Sequence, residues 1–187
     1  MRDVIAIETK RLNLRPIAMS DARRIARFCD DPGVGRMLAQ TPLPYLEAAA
    51  EGWIMTLNAR APLQRDFVFA VELSGEGLIG VVGAHRSDKS NDVEIGYWFG
   101  RPYWGVGYGS EAVTAFVAQA QALGPLNAGH FVDNLASGRV LKRAGFVYTG
   151  ETKRMFSMGR GESVDCLRMR YAAHSAARHD ALSASVH

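Results

Sequence analysis

Apolar and polar side chains alternate along Arg11-Leu12-Asn13-Leu14-Arg15-Pro16, which predicts a half-buried strand ended by proline. The period then lengthens to helical spacing through Ile25 and Phe28, with Ser20 placed to cap that helix and Asp31-Pro32-Gly33 to break it. After a turn at Thr41-Pro42-Leu43-Pro44, apolar positions recur at Leu46, Ala49, Ala50, Trp53, Ile54 and Leu57. They predict one face of a helix from Tyr45 to about Ala59. The middle of the chain returns to a period of two. Phe67 to Leu73 and Leu78 to Ala84 flank the turn Ser74-Gly75-Glu76-Gly77 and read as a hairpin. A third strand follows at Asp92 to Phe99, with Val93, Ile95, Tyr97 and Phe99 on one face and Glu94, Gly96 and Trp98 on the other.

A glycine-rich turn leads from that strand into a helix predicted from about Ser110 to Leu123, whose apolar face is Val113, Phe116, Val117 and Ala120 and whose stop is Gly124-Pro125. Leu126 to Val132 reads as a short strand. Asn134 caps a second helix that Gly145 ends, with Phe146 packing back. Strands around Thr149 to Ser157 and Ser163 to Tyr171, joined at Gly159-Arg160-Gly161, complete a domain over residues 1–172. Residues 173–187 are small and polar and read as a disordered tail. The order of elements specifies an α+β, or mixed α/β, fold rather than a regular βαβ array.

Composition narrows the function classes. A chain of 187 residues with 48% hydrophobic side chains buries a core without disulfides or metal. The net charge of +3 is too small to argue for nucleic acid, although it suits an anionic cofactor. Cys29 and Cys166 form no Cys-x-x-Cys or Cys/His cluster, so no metal site is expected. The first residues lack the apolar stretch of a secretory signal, and no run is long enough to span a bilayer. The expectation is a cytoplasmic protein with no membrane partner.

The chemistry concentrates in Trp104-Gly105-Val106-Gly107-Tyr108-Gly109-Ser110. The first amides of a helix lack partners and carry partial positive charge, and glycines let backbone approach a ligand closely. Together they make a site for phosphate or pyrophosphate. A Walker loop needs Gly-Lys-Ser/Thr, which is absent. A dinucleotide fingerprint needs its third glycine one position later and an initial βαβ unit, which argues against a nucleotide-dependent oxidoreductase.

The segment resembles the acetyl-CoA loop of the GNAT superfamily, with pattern Gln/Arg-x-x-Gly-x-Gly/Ala, in which Gly107 and Gly109 are the small positions. Trp104 replaces the usual Gln or Arg. That departure is shared with the RimJ/RimL-like branch, whose loop resembles Tyr103-Trp104-Gly105-Val106-Gly107-Tyr108 and the Glu111-Ala112 pair here. The opening stretch Glu8 to Arg15 and the helix Asn134 to Phe146 are similar to that branch as well, so the resemblance covers residues 8–171.

The resemblance implies a mixed, mostly antiparallel sheet, splayed at the cofactor site and flanked by helices. It implies acetyl-CoA as cosubstrate and an amine acceptor, either a protein N-terminus or a small molecule; a homodimer is an analogy only. Backbone groups of Trp98 and Phe99 would meet pantetheine, the amides from Val106 to Ser110 the pyrophosphate, and Asn134 and Ser137 the pantetheine or its thiol end. Many relatives place a proton-donating Tyr seven residues after the Asn. Leu141 stands there, which leaves Ser137 as the substitute acid, or a local helix hydrogen bond as its whole role. Glu94, if buried beside Trp98, is one candidate base. His130, on the strand facing the gap, is a second unless it is simply packed, and water is a third. Trp53, Tyr45, Tyr97 and Met155 line an acceptor pocket or, more in keeping with their spacing, fill the core. His85 is expected at the surface. An alternative is an acetyl-CoA-binding protein without turnover.

Overall fold

A computed structural model describes residues 6–87 and 91–172. The expected tail at 173–187 lies outside the described residues. Among the described residues, eight strands form one sheet: β1 (Ile7–Glu8), β2 (Leu12–Pro16), β3 (Asp66–Leu73), β4 (Gly77–Arg86), β5 (Val93–Phe99), β6 (Leu126–Phe131), β7 (Phe146–Ser157) and β8 (Glu162–Tyr171). Their spatial order is β1-β2-β3-β4-β5-β6-β8-β7. Every neighbouring pair is antiparallel except β5 and β6, which run parallel. The fold is therefore the α+β, mostly antiparallel arrangement expected.

Among the described residues, five helices cover the two faces: α1 (Ala22–Cys29), the single turn α2 (Pro32–Gly35), α3 (Glu47–Arg60), α4 (Tyr108–Ala120) and α5 (Leu135–Arg143). On one face, Val113, Phe116, Val117 and Ala120 of α4 and Leu141 of α5 pack on Val93, Ile95 and Phe99 of β5 and Leu126 and Ala128 of β6. On the other, Ile25 and Phe28 of α1 and Ala50 and Ile54 of α3 pack on Ala70, Leu78 and Val81. The alternation along β5 is realised, since Tyr97 joins the first cluster and Trp98 the second.

Several local expectations change. Ser20 is not a cap; it lies in a 3₁₀ turn, Met19–Asp21, ahead of α1. Asp21 does the tethering instead. Its Oδ2 accepts from the Ala18 amide at 2.8 Å, and Arg15 donates to both carboxylate oxygens at 2.8 Å. Asp31 ends the first helical run but also starts α2, where its Oδ1 accepts from the Gly33 amide at 2.8 Å. α3 begins two residues later than expected, and Leu46 and Ala49 face solvent, because only Ala50 and Ile54 of its apolar stripe meet the sheet closely enough to be buried. β7 begins at Phe146, three residues early, since Gly145 turns the chain directly into the sheet. Its φ of +97° suits glycine, and a Cβ there would stand 2.8 Å from the Tyr171 ring.

Candidate active site

Parallel pairing of β5 with β6 runs only through Val93↔Leu126, Glu94↔Asn127 and Ile95↔Ala128. Beyond that point β5 continues to Phe99 against β4, while β6 continues to Phe131 against β8. The sheet is split at its centre. The glycine turn lies at the end of β5, beside this split.

The turn is built for its conformation. Gly105 has φ +79° and Gly107 φ +88°, a region that costs an L-residue about 1–2 kcal/mol. Gly107 is the N-cap of α4, so the helix starts at Tyr108, two residues before the expected Ser110. Among the described residues no side chain caps α4, which leaves the first-turn amides of Tyr108, Gly109 and Ser110 open to an external acceptor. A Cβ on Gly109 would rest against Phe99 and Val140 at 3.6 Å, an ordinary contact.

Side chains from elsewhere hold the turn. Trp104 folds back and donates from Nε1 to the Phe99 carbonyl at 2.7 Å. Arg11 donates from Nη1 to the Val106 carbonyl at 3.1 Å and from Nε to Glu111 Oε2 at 2.7 Å, and its guanidinium lies 4.4 Å from the centre of the Tyr108 ring. Thr9 Oγ1 and the Arg11 amide donate to Glu111 Oε1 at 2.7 and 2.9 Å. Burial would push the Glu111 carboxyl up, but the hydrogen bonds from Thr9 and Arg11 outweigh it and hold the group below its ordinary value. Glu111 is thus a bound counter-charge for Arg11, and the helix start keeps its positive character. Sequence reasoning did not connect Thr9 and Arg11 to this turn, because about a hundred residues separate them from Glu111. Arg143 was also missed; its Nη1 lies 3.5 Å from Ser110 Oγ and adds a cationic group near the helix start.

The ladder corrects the pantetheine contacts. The Gly100 amide donates to the Ile79 carbonyl at 2.9 Å, and pairs along β4–β5 alternate between hydrogen-bonded and open. The backbone groups of Trp98 therefore turn toward β4, and those of Tyr97 and Phe99 turn toward the split. The Phe99 carbonyl is engaged by Trp104, and the Trp98 backbone, expected to meet pantetheine, is committed to β4.

Asn134 caps α5 as expected, with Oδ1 accepting from the Ser137 amide at 3.1 Å. Ser137 also meets a partner from across the split. Tyr97 Oη donates to the Ser137 carbonyl at 3.0 Å and lies 2.8 Å from Ser137 Oγ. Leu141, at the position of the usual acid, is fully buried in the core.

The two base candidates fare differently. His130 does not face the gap. It is 4% exposed under α5, with Nδ1 2.8 Å from the Phe131 carbonyl and Nε2 2.8 Å from Tyr148 Oη. A Cβ on Gly138 would stand 2.6 Å from Nε2, so the helix backbone lies directly over the ring. His130 is a packed, doubly engaged residue. Glu94 is not buried beside Trp98 either. Its side chain is 46% exposed and receives both arms of Arg168 at 2.8 and 2.6 Å. The pair lines a groove of about 490 Å³ with Asn127, Glu151, Lys153 and Met155, on the sheet face away from α4 and α5. Met155 thus belongs to a groove, whereas Trp53, Tyr45 and Tyr97 pack against the cores. His85 is exposed and bonded to Asp66 at 2.8 Å.

Among the described residues, no helix is long and apolar enough to cross a membrane. Residues 11–147 match the family described as the Acetyltransferase (GNAT) domain. The chain is 32% identical over 149 residues to the uncharacterized N-acetyltransferase YoaA of Bacillus subtilis (strain 168), a match covering 77% of this chain and 84% of that one. It is 30% identical over 110 residues to the uncharacterized N-acetyltransferase p20 of Bacillus licheniformis, covering 58% of this chain and 62% of the relative. Its fold is similar to that of Mycobacterium smegmatis RimJ, solved in complex with CoA-disulfide, at a TM-score of 0.75 and 22% identity over 89% of this chain and 84% of RimJ. The split sheet, the uncapped helix behind two left-handed glycines and the match over most of the domain place this chain in the GNAT family of acetyl-CoA-dependent N-acetyltransferases, with RimJ/RimL-like structural neighbours.

Proposed function

We propose that this protein transfers the acetyl group of acetyl-CoA to a primary amine, a protein N-terminus or a small molecule, by direct attack of the amine on the thioester. The observation that carries the reading is the uncapped start of α4, seated behind Gly105 and Gly107 at the edge of the split sheet. Amides from Val106 to Ser110 would hold the pyrophosphate, with Trp104 and Arg11 fixing the turn. Backbone groups of Tyr97 and Phe99 would meet the pantetheine arm in the split, and Asn134 would offer its amide nitrogen. When bound, acetyl-CoA supplies an activated acyl group, and the chain's task is to place it and to manage protons.

Ser137 is assigned as the proton donor to the departing sulfur, because Leu141 has no proton to give. Glu94 is assigned to the acceptor side. With both carboxylate oxygens held by Arg168, it suits an incoming ammonium group better than it suits proton abstraction. Water then takes the amine proton before attack. The buried Leu141 also favours a second reading, an acetyl-CoA-binding protein without turnover. A thiol-release assay with acetyl-CoA and a panel of amines and N-terminal peptides separates the two. Amine-dependent CoA release is the expected result; tight acetyl-CoA binding with no release from any amine would favour the second reading.

A further inference from the structure

Tyr97 reaches across the split from β5 to the first turn of α5, where its hydroxyl meets both polar groups of Ser137 that it can reach. A carbonyl only accepts, so the Tyr97 proton points to the Ser137 carbonyl, 3.0 Å away. The Tyr97 oxygen then accepts from Ser137 Oγ–H at 2.8 Å. In this arrangement the Ser137 proton is parked on Tyr97. Nothing in the residue types at 97 and 137 forces such a bridge; it exists because β5 parts from β6 after Ile95 and leaves room for the phenol beneath α5.

We propose that Tyr97 is a positioning residue for thiol departure, a hydrogen-bond switch that aims the Ser137 hydroxyl and then supports its oxygen as the proton leaves. The inference rests on the assignment of Ser137 to the leaving sulfur. As the amine nitrogen bonds to the acyl carbon, the carbon–sulfur bond breaks and its electron pair stays on sulfur. Ser137 Oγ–H turns from Tyr97 to the sulfur and gives up its proton. Tyr97 O–H turns from the Ser137 carbonyl to Ser137 Oγ and stabilises the oxygen until solvent returns a proton. The amine's surplus proton leaves to water, so charge and atoms balance. At rest Tyr97 holds its proton, because burial pushes its hydroxyl above the ordinary range and outweighs the opposing bond to Ser137, so it is ready to donate to the Ser137 oxygen. The start of α5 adds its partial positive charge to the same place. The charged group nearest that helix start, Asp133, is tied to Arg160 and Arg36, and His130 lies beneath Gly138 with both nitrogens engaged.

The test uses the full chain and CoA itself, and needs no acceptor. The ultraviolet absorbance of the thiolate, followed against pH, gives the pKa of the CoA thiol in the complex. Donors aimed at sulfur lower it. Ser137→Ala is expected to raise the bound thiol by about one pH unit relative to wild type. Tyr97→Phe, which keeps the ring and loses only the hydroxyl, is expected to raise it in the same direction, and the double variant no further than Ser137→Ala alone. A wild-type value in Tyr97→Phe, with the Ser137→Ala shift intact, would overturn the role of Tyr97. No shift in Ser137→Ala would overturn the Ser137 assignment. Failure of the wild-type protein to bind CoA would overturn the cofactor reading on which both rest.

Discussion

The Arg11 guanidinium and the Glu111 carboxylate join the lead-in to β2 to the first turn of α4, at 2.7 Å. From the same side chain a second arm reaches the Val106 carbonyl in the glycine turn. One arginine therefore fixes both the helix start and the loop before it, although 100 residues separate it from Glu111.

Removing that arginine frees the turn without touching its amides. Arg11→Ala is expected to weaken acetyl-CoA binding roughly two- to fivefold, measured by calorimetry. The effect is modest because Arg11 is 38% exposed and an exposed ion pair contributes less than about 1 kcal/mol. An unchanged affinity would show that the turn is rigid without Arg11.

Gly107 tests the cradle itself. Gly107→Trp forces an L-residue to φ near +88° and sets an indole where the helix amides open. The expected cost to stability is about 1–2 kcal/mol, leaving a folded protein, whereas acetyl-CoA binding is lost. Unaltered calorimetric affinity would sink the pyrophosphate assignment.

Glu94 distinguishes acceptor binding from base chemistry. Glu94→Gln keeps the shape of the groove and removes the charge that Arg168 holds. The acceptor KM is expected to rise while kcat falls less, measured with an amine found by the thiol-release panel. Stability should change by less than about 1 kcal/mol, since Glu94 is 46% exposed. A collapse of kcat at unchanged KM would restore Glu94 as the base.

Asp21 governs acid stability. Burial would push its carboxyl up, but the bonds from Arg15 and the Ala18 amide outweigh it and hold the group below 3.8. A depressed folded value means the stabilisation is complete above pH 3.8 and is lost as pH falls through the folded value. Asp21→Asn is expected to be less stable by about 2 kcal/mol at neutral pH. Its urea midpoint should change less than that of wild type below pH 3.8. Parallel curves for the two proteins would contradict the assignment.

Much of the fold was legible in the chain because its signals are local. The alternation of Val93, Ile95, Tyr97 and Phe99 set the two faces of β5, and Asn134 and Gly145 marked the ends of α5. The glycine turn at 105–109 marked a phosphate site by the same local logic, since left-handed backbone at 105 and 107 excludes most side chains, and the resemblance of its motif named the acyl donor.

What the sequence alone determined, then, was the class of element at each position, the turn that opens the start of α4, and the kinship of the domain. What only the tertiary structure decided was who meets whom. Periodicity does not say where β5 leaves β6, so it did not reveal that Tyr97 would reach Ser137 or that the Trp98 backbone would turn to β4. Nor did it show Arg168 seizing Glu94 or α5 closing over His130. Each of these depends on groups brought together by the sheet order from distant parts of the chain, and a charge or a hydroxyl takes its chemical role from the partner that the fold supplies.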